Sequence, residues 1–237
     1  SSFILDQMRM IKSDHEVVRL KNAAKVAEIG MEKCVELLAE DVVEKEIAVI
    51  AEHAMKKAGA EGFIYPTLVS SGRKSAAPHL PPGDKVVKRG ETVFIALGPI
   101  VKGYCSDLVR TFSIGEADGL MKEMFNITLE AQEVAMSAAK PGASASDVHQ
   151  AAVSVIKSSG FVDCLRFRSG HGVGITIHER PNLREDDDTV LKPNMTLAIE
   201  PSLFKNGFGG TRICDVVVVT DKGLRRLFEF PRELEAL

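Results

Sequence analysis

Four segments of the chain bring together histidines, carboxylates and glycines, residue types that often carry enzyme chemistry. They are residues 78–79, 103–111, 169–179, and the pair 199–201 and 209–215. Histidine titrates near neutral pH and can act as a general acid or base. Histidine, cysteine and carboxylate side chains are also common ligands of zinc and related ions. These segments could therefore support acid–base or metal-assisted chemistry.

Each segment also has a simpler interpretation when it is taken singly. His79 in a loop is typical of a surface histidine, and the glycines around His171 are typical of a tight turn. Asp107 could pair with Arg110 at the end of a strand. Glu200 differs, because it ends an apolar strand run and a buried carboxylate needs a partner or a metal ion.

Hydrophobic spacing and capping signals predict the elements that must position these segments. Ser13 and Glu16 form a capping-box pattern, and Ser144 with Asp147 could cap a later helix. Gly59 suits the left-handed end of a helix. Helical patterns cover 17–38, 47–58, 120–138 and 144–156, and the apolar side of the second is predicted to be Ile47, Ile50, Ala54 and Ala58. Strands are predicted at 64–70, 92–97, 104–114, 196–199 and 213–220.

The order helix, helix, strands occurs twice, which indicates an internal duplication. Residues 86–96 align with 190–200 at a constant offset of 104 positions, with a Val, a Lys and a Thr identical. A short insertion that contains the aspartate run 186–188 is predicted to be a solvated loop. Two such repeats would form one curved antiparallel sheet with helices on its outer face, an α+β fold with a cleft between the halves. The predicted bounds are about 14–113 and 118–221 for the repeats and 1–237 for the single domain.

Taken together and in this order, the segments resemble the pita-bread metallohydrolases, which include prolidase, aminopeptidase P, methionine aminopeptidase and creatinase. The prolidase and aminopeptidase P branch fits best, and the resemblance covers essentially the whole chain. The matching motifs are Ile11-Lys12-Ser13, Pro78-His79, residues 103–107 and 170–174, His178-Glu179 and Glu200-Pro201. The resemblance implies the pita-bread fold and a homodimer. The chain begins at Ser1 without an initiator Met, so one interpretation is a processed or trimmed form of a longer protein. Prolidases and aminopeptidase P carry a further N-terminal domain, and the sequence leaves open whether one has been removed here.

In active members of this family two divalent metal ions lie in the cleft, held by two Asp, one His and two Glu. The ions activate a shared water, which attacks the scissile amide, and they polarise the carbonyl. Two further histidines bind substrate and move protons. The resemblance assigns the second Asp to Asp107, the metal His to His171, the first Glu to Glu200, and the substrate histidines to His79 and His178.

Two of the expected metal ligands are missing from the sequence. The first Asp would lie 11 residues before Asp107, where the chain has Ala96, and the last Glu would fall at Cys214. Asp215 cannot replace that Glu, because a shift of one residue along a strand turns the side chain to the opposite face. The resemblance therefore implies that the dinuclear site is lost.

One of the two metal sites keeps four possible donors, namely Asp107, His171, Glu200 and Cys214. Mixed cysteine, histidine and carboxylate donors suit zinc. We therefore expect either no metal or a single divalent ion (zinc, manganese or cobalt) at low occupancy. Without an ion, two close carboxylates would raise one pKa or recruit His171 as a counter-ion.

Three functions remain open from the sequence. The first is a prolidase-like hydrolase homologue that is inactive, or weakly active with at most one metal. The second is a metal-independent, creatinase-like C–N hydrolase that uses His79, His178 and Glu200. The third is a non-catalytic module that binds peptides or proteins, as the pita-bread domain of the FACT histone chaperone does. The expected ligand is a small peptide or a guanidino or amide compound.

Composition narrows the class of protein. Apolar residues make up 45% and charged residues 27%, which is ordinary for a globular domain. The net charge of −3, with both signs interspersed, argues against a nucleic-acid partner. No apolar run reaches the length of a membrane span, and four scattered cysteines predict free thiols in a reducing compartment. We therefore expect a cytoplasmic protein.

Overall fold

Five α-helices surround the sheets in the computed structural model, which describes residues 2–166 and 168–237. The helices are α1 (Ser2–Met10), α2 (Asp14–Leu37), α3 (Glu44–Lys57), α4 (Gly119–Ala138) and α5 (Ala145–Ser158). Both predicted capping boxes are confirmed. The Ser13 hydroxyl accepts from the Glu16 amide while the Glu16 carboxylate accepts from the Ser13 amide, and Ser144 and Asp147 exchange the same two bonds. Gly59 has the predicted positive φ, at 106°.

The buried face of α3 differs from the prediction. Ile50 is 40% exposed, and the side chains that face the core are Ile47, Ala48, Ala51 and Met55. The predicted and the observed buried faces of α3 both contain Ile47. The alanines on the two faces differ little in hydrophobicity, so they do not favour one face over the other. The larger Met55 decides the orientation, since it is fully buried and carries the greater apolar surface.

Thirteen strands form the sheets within the described part of the chain. They are β1 (Gly62–Phe63), β2 (Leu68–Ser71), β3 (Thr92–Leu97), β4 (Pro99–Val101), β5 (Tyr104–Cys105), β6 (Leu108–Ser113), β7 (Gly170–Gly172), β8 (Glu179–Leu183), β9 (Thr196–Ile199), β10 (Ser202–Lys205), β11 (Gly209–Arg212), β12 (Asp215–Thr220) and β13 (Gly223–Arg226). The predicted strand 104–114 is divided into β5 and β6, because residues 106–107 leave the ladder at that point. This break places Asp107 at the start of β6.

Every strand pairing is antiparallel. One sheet has the order β13-β12-β9-β7-β8, and a second has the order β2-β3-β6. A two-way backbone bridge between Val109 and Cys214 joins them. Helices α2 and α3 pack on the first half of the strands and α4 and α5 on the second, each pair around its own apolar core.

The two halves make corresponding contacts at the helix starts. Val43 before α3 bridges Val86, and Ser144 before α5 bridges Val190, two positions that the sequence alignment pairs. The duplication itself stays a prediction. The aspartate run is only partly solvated: Asp187 is buried, and its carboxylate accepts from the amides of Asn182 and Thr189. Among the described residues, no helix has both the length and the apolar character that crossing a membrane requires.

The pairing of Asp107 with Arg110, one of the two interpretations of that segment, is wrong. Arg110 lies on the opposite face of β6, where its Nη2 contacts Asp215 Oδ1 at 2.8 Å. Gln132 and Arg226 also donate to the Asp215 carboxylate. Both Arg110 and Asp215 are buried beneath the helices, so this ion pair belongs to the core.

Replacing Arg110 by Met is expected to lower the free energy of unfolding by about 3–5 kcal/mol, because it leaves Asp215 short of a buried counter-ion. Urea unfolding at pH 7 measures the change. Arg225→Met is the control, since Arg225 is exposed on β13, and we expect it to shift stability by no more than about 0.5 kcal/mol. A loss below about 1 kcal/mol for Arg110→Met would contradict the structural role.

Candidate active site

The retained site residues converge on one cleft on the inner side of the strands. Asp107 directly precedes β6, His171 is the central residue of β7, and Glu200 directly follows β9. Strand β9 lies between β7 and β12, so these short strand ends meet side by side. The cleft has a volume of about 920 Å³, and its lining includes His79, His178 and Glu200.

Three of the side chains form a compact donor group. One ligand atom each of Asp107, His171 and Glu200 lies within 4.8 Å of the others. His171 Nε2 is 3.1 Å from Glu200 Oε1 and 4.0 Å from Asp107 Oδ2. The other ring nitrogen, Nδ1, lies 2.9 Å from the Gly172 carbonyl oxygen, which fixes the ring orientation. His171 therefore contacts both carboxylates, as expected for a counter-ion.

Two further residues contact the carboxylates, and the sequence reasoning missed both. The Arg212 guanidinium donates from Nη2 to Glu200 Oε2. The Tyr65 hydroxyl donates to Asp107 Oδ1. Arg212 could have been noticed, since it ends β11 in the fourth candidate segment, two residues before Cys214.

Burial and the neighbouring charges together set the pKa values of the three side chains in the donor group. Burial and the charge of Glu200 raise the pKa of Asp107, against the opposing effect of Arg212. Burial would also raise the pKa of Glu200, but Arg212 and His171 outweigh it and hold that pKa below its usual range. Burial would lower the pKa of His171, but its contact with Glu200 raises it. The site therefore favours an ionised Glu200 between two positive groups.

The two positions with missing ligands lie in an apolar layer next to this group. Ala96 on β3 is fully buried and opposite Val109, which in turn bridges Cys214. These three side chains belong to one hydrophobic cluster with Phe204. Burial raises the pKa of the Cys214 thiol well above its usual range, so the thiol is protonated. Among the residues that the structure describes, the compact donor group does not include the Cys214 sulfur.

The two substrate-type histidines lie at the mouth of the cleft. The ring of His178 meets His171 edge to face, with ring centroids 4.5 Å apart. Partial burial, His171 and Arg168 lower the pKa of His178 to about 4. Partial burial and the charge of Arg212 also lower the pKa of His79. Both rings are therefore neutral at pH 7, and the exposed His79 is both a surface residue and a cleft residue.

The motif that contains Lys12 and the motif that contains Glu179 contact each other next to His178. Glu179 accepts from Lys12 Nζ at 3.0 Å and from the Ile175 amide at 2.9 Å, and it also pairs with Arg9. Lys12 is buried, although it carries a charge. This contact attaches the loop that carries His178 to the segment between α1 and α2.

The arrangement was compared with known proteins. The model of metallopeptidase family M24 matches residues 18–221. The Xaa-Pro dipeptidases of Pyrococcus furiosus and Pyrococcus horikoshii are 38% and 36% identical, each over 98% of this chain and 66% of the relative. The chain spans 63–66% of the length of the first curated relatives that it matches.

Solved structures agree with the family model. The X-Pro aminopeptidase from Thermotoga maritima has a TM-score of 0.96 and 35% identity, and the match covers all of this chain and 67% of that one. The prolidase from Pyrococcus furiosus has a TM-score of 0.95 and 37% identity, over 97% of this chain and 68% of that one. These likenesses confirm the predicted α+β pita-bread fold. The chain belongs to metallopeptidase family M24, with a prolidase-like fold and cleft.

Proposed function

We propose that this chain binds short peptides in its cleft and has lost the two-metal centre of a working peptidase. The observation that carries the proposal is the pairing of Glu200 with the Arg212 guanidinium, next to an apolar layer at Ala96 and Cys214. Two metal ions need a set of charged donors around them. Here a methyl group and a protonated thiol occupy that side of the site.

A single divalent ion is compatible with the remaining donors. Asp107, His171 and Glu200 would hold it, and a bound ion would polarise a carbonyl or lower the pKa of a water. Arg212 competes for Glu200, and Tyr65 for Asp107. The expected ion is zinc, manganese or cobalt at low occupancy, and Cys214 as a fourth ligand stays a prediction.

Peptide binding is supported by the rest of the cleft. His79 and His178 are neutral and face the volume next to Glu200, so they can donate or accept hydrogen bonds with a peptide group. The Arg212 guanidinium also lines the cleft, where it can donate hydrogen bonds to a carbonyl or carboxylate oxygen. Relatives described above are an Xaa-Pro dipeptidase and an X-Pro aminopeptidase, which supports a small peptide as the ligand.

Loss of the second ion has a large kinetic consequence. A pair of ions activates the water and stabilises the developing oxyanion together. Loss of one major electrostatic stabiliser alone costs up to about a thousandfold in turnover. We therefore propose that hydrolysis is absent or weak. The creatinase-like alternative gains no support from the relatives described above, none of which is a creatinase.

Metal analysis tests the proposal. Protein dialysed against manganese or cobalt is expected to retain at most one equivalent, measured by elemental mass spectrometry, and Glu200→Gln is expected to lose that ion. Hydrolysis of Ala-Pro is expected to be near background, while Ala-Pro still raises the melting temperature through binding. Two retained equivalents with rapid Ala-Pro turnover would overturn the proposal.

A further inference from the structure

One wall of the cleft carries three arginines beyond Arg212. Arg166, Arg168 and Arg184, here called the arginine wall, line the same cavity as Glu200 and His178. Backbone bonds hold the wall in place: Leu165 bridges Leu203 on β10, and the Ser169 amide donates to the Leu183 carbonyl. The segment that carries Arg166 and Arg168 is therefore attached to β10 on one side and to β8 on the other.

Among the described residues, the hydrogen-bond partners of Arg166 and Arg168 include no carboxylate. Arg168 donates to the amide oxygen of Asn182, and Arg166 donates to that of Asn206. Arg184 differs, since its Nε lies 2.6 Å from Asp186 Oδ1. Amide oxygens satisfy guanidinium donors but do not neutralise their charge.

In the part of the chain that the structure describes, four arginines and three carboxylates line the cleft, so its lining carries one more positive than negative side chain. Among the cleft-lining residues, Glu200 is already paired with Arg212, and Asp186 with Arg184. Glu185 remains as an acidic lining residue. The chain as a whole carries a net charge of −3, so this local excess of arginine is opposite in sign to the rest of the molecule. Partial burial lowers the pKa of Arg168, a cost that a bound anion would relieve.

A dipeptide without an acidic side chain has one free carboxylate. The arginine wall offers two separate guanidinium groups whose hydrogen-bond partners are neutral amides. Guanidinium groups bind carboxylates through paired, charge-assisted hydrogen bonds. We propose, resting on the proposed peptide-binding function, that the arginine wall selects dipeptides with a second carboxylate on the C-terminal side chain, of the type Xaa-Asp or Xaa-Glu. One of Arg166 and Arg168 contacts the terminal carboxylate, and the other contacts the side-chain carboxylate.

Calorimetric titration of the whole chain tests this selectivity with Ala-Glu and its neutral isostere Ala-Gln, at pH 7.5 and low salt. Ala-Glu is expected to bind about tenfold more tightly than Ala-Gln. The preference is expected to shrink as salt is added, because screening weakens partly exposed ion pairs. Equal affinities for the two ligands in the unmodified chain would overturn the proposal.

Two variants and a control locate the effect. Arg168→Gln and Arg166→Gln are each expected to reduce the preference for Ala-Glu to about threefold or less. Arg225→Gln removes the same charge from an exposed site outside the cleft lining and is expected to keep the tenfold preference. An undiminished preference in both wall variants would also overturn the proposal.

Ala-Pro serves as a third ligand that separates the two proposals. If Ala-Pro and Ala-Gln bind as tightly as Ala-Glu, the cleft is a peptide site and the arginine wall does not select acidic ligands. If none of the three binds, the proposed peptide-binding function fails together with the selectivity.

Discussion

Replacing Ala96 by Asp and Cys214 by Glu together is expected to raise the metal content from at most one ion to two. It is also expected to raise Ala-Pro hydrolysis by about a thousandfold over the unmodified chain. The two positions lie on either side of β6, since Ala96 is opposite Val109 and Val109 bridges Cys214. Carboxylates at both would face the existing donor group and supply the charge that two ions need.

The balance of charge at the site explains why both substitutions are required. Asp107 is already engaged by Tyr65 and Glu200 by Arg212, so a second ion needs new donors. A new acid at position 214 would also act on Arg212, because the Cys214 side chain already lies close enough for its charge to affect the Arg212 guanidinium. Without metal, the double variant is expected to be several kcal/mol less stable, because it buries two more charges, and manganese is expected to restore that loss.

A neutral pair of the same shape provides the control. Ala96→Asn with Cys214→Gln has nearly the same volume but no added negative charge, and it is expected to bind no second ion. Elemental analysis and melting curves with and without manganese distinguish the two variants. A folded double-acid variant that still retains one ion or fewer would show that position, and not charge, prevents the second site.

Local sequence signals predicted four of the five described helices and some of the strands, but not α1 or the short strands β7, β8, β10 and β11. The predicted strand 64–70 is a strand only from Leu68 onward, in β2. Capping boxes depend on residues three apart, so Ser13 and Ser144 identified their helices directly. The apolar run before Glu200 predicted β9 with its bounds, and Asp107, His171 and Glu200 converge as the resemblance implied. Each of these signals is contained in a few consecutive residues or in a motif.

The side-chain partners could not be predicted, because they depend on pairs that are distant in the sequence. Two carboxylates were possible ion-pair partners of Arg110: Asp107, three residues away, and Asp215, 105 residues away. In the structure Arg110 pairs with Asp215, because the strand turns its side chain to that face. The contact of Tyr65 with Asp107 joins two loop residues that are 42 positions apart. The contact of Arg212 with Glu200 spans a hairpin whose register only the folded chain fixes.

Replacing Arg212 by Met is expected to lower the free energy of unfolding at pH 8 by about 3–5 kcal/mol when metal is absent. Arg212 is the cation that contacts Glu200 most directly, and its charge also acts on Asp107. Its removal leaves Asp107 and Glu200 buried, with the His171 ring as the basic side chain in contact with both. Zinc is expected to recover more stability in this variant than in the unmodified chain, because Glu200 becomes available as a ligand.

The pH dependence of this loss gives a second test of the same pairing. Arg212 and His171 hold the pKa of Glu200 below its usual range, so their stabilisation is fully present above the unfolded pKa, about 4.3. It is lost as the pH falls below that value through the folded pKa. The stability difference between Arg212→Met and the unmodified chain should therefore be larger at pH 8 than at acid pH, and it should shrink as the pH falls below about 4. Arg212→Lys keeps the positive charge without the forked geometry, so it should lose less stability than Arg212→Met. Urea unfolding of the three proteins across this pH range measures the differences. A stability difference that does not change with pH would mean that Arg212 acts through packing alone.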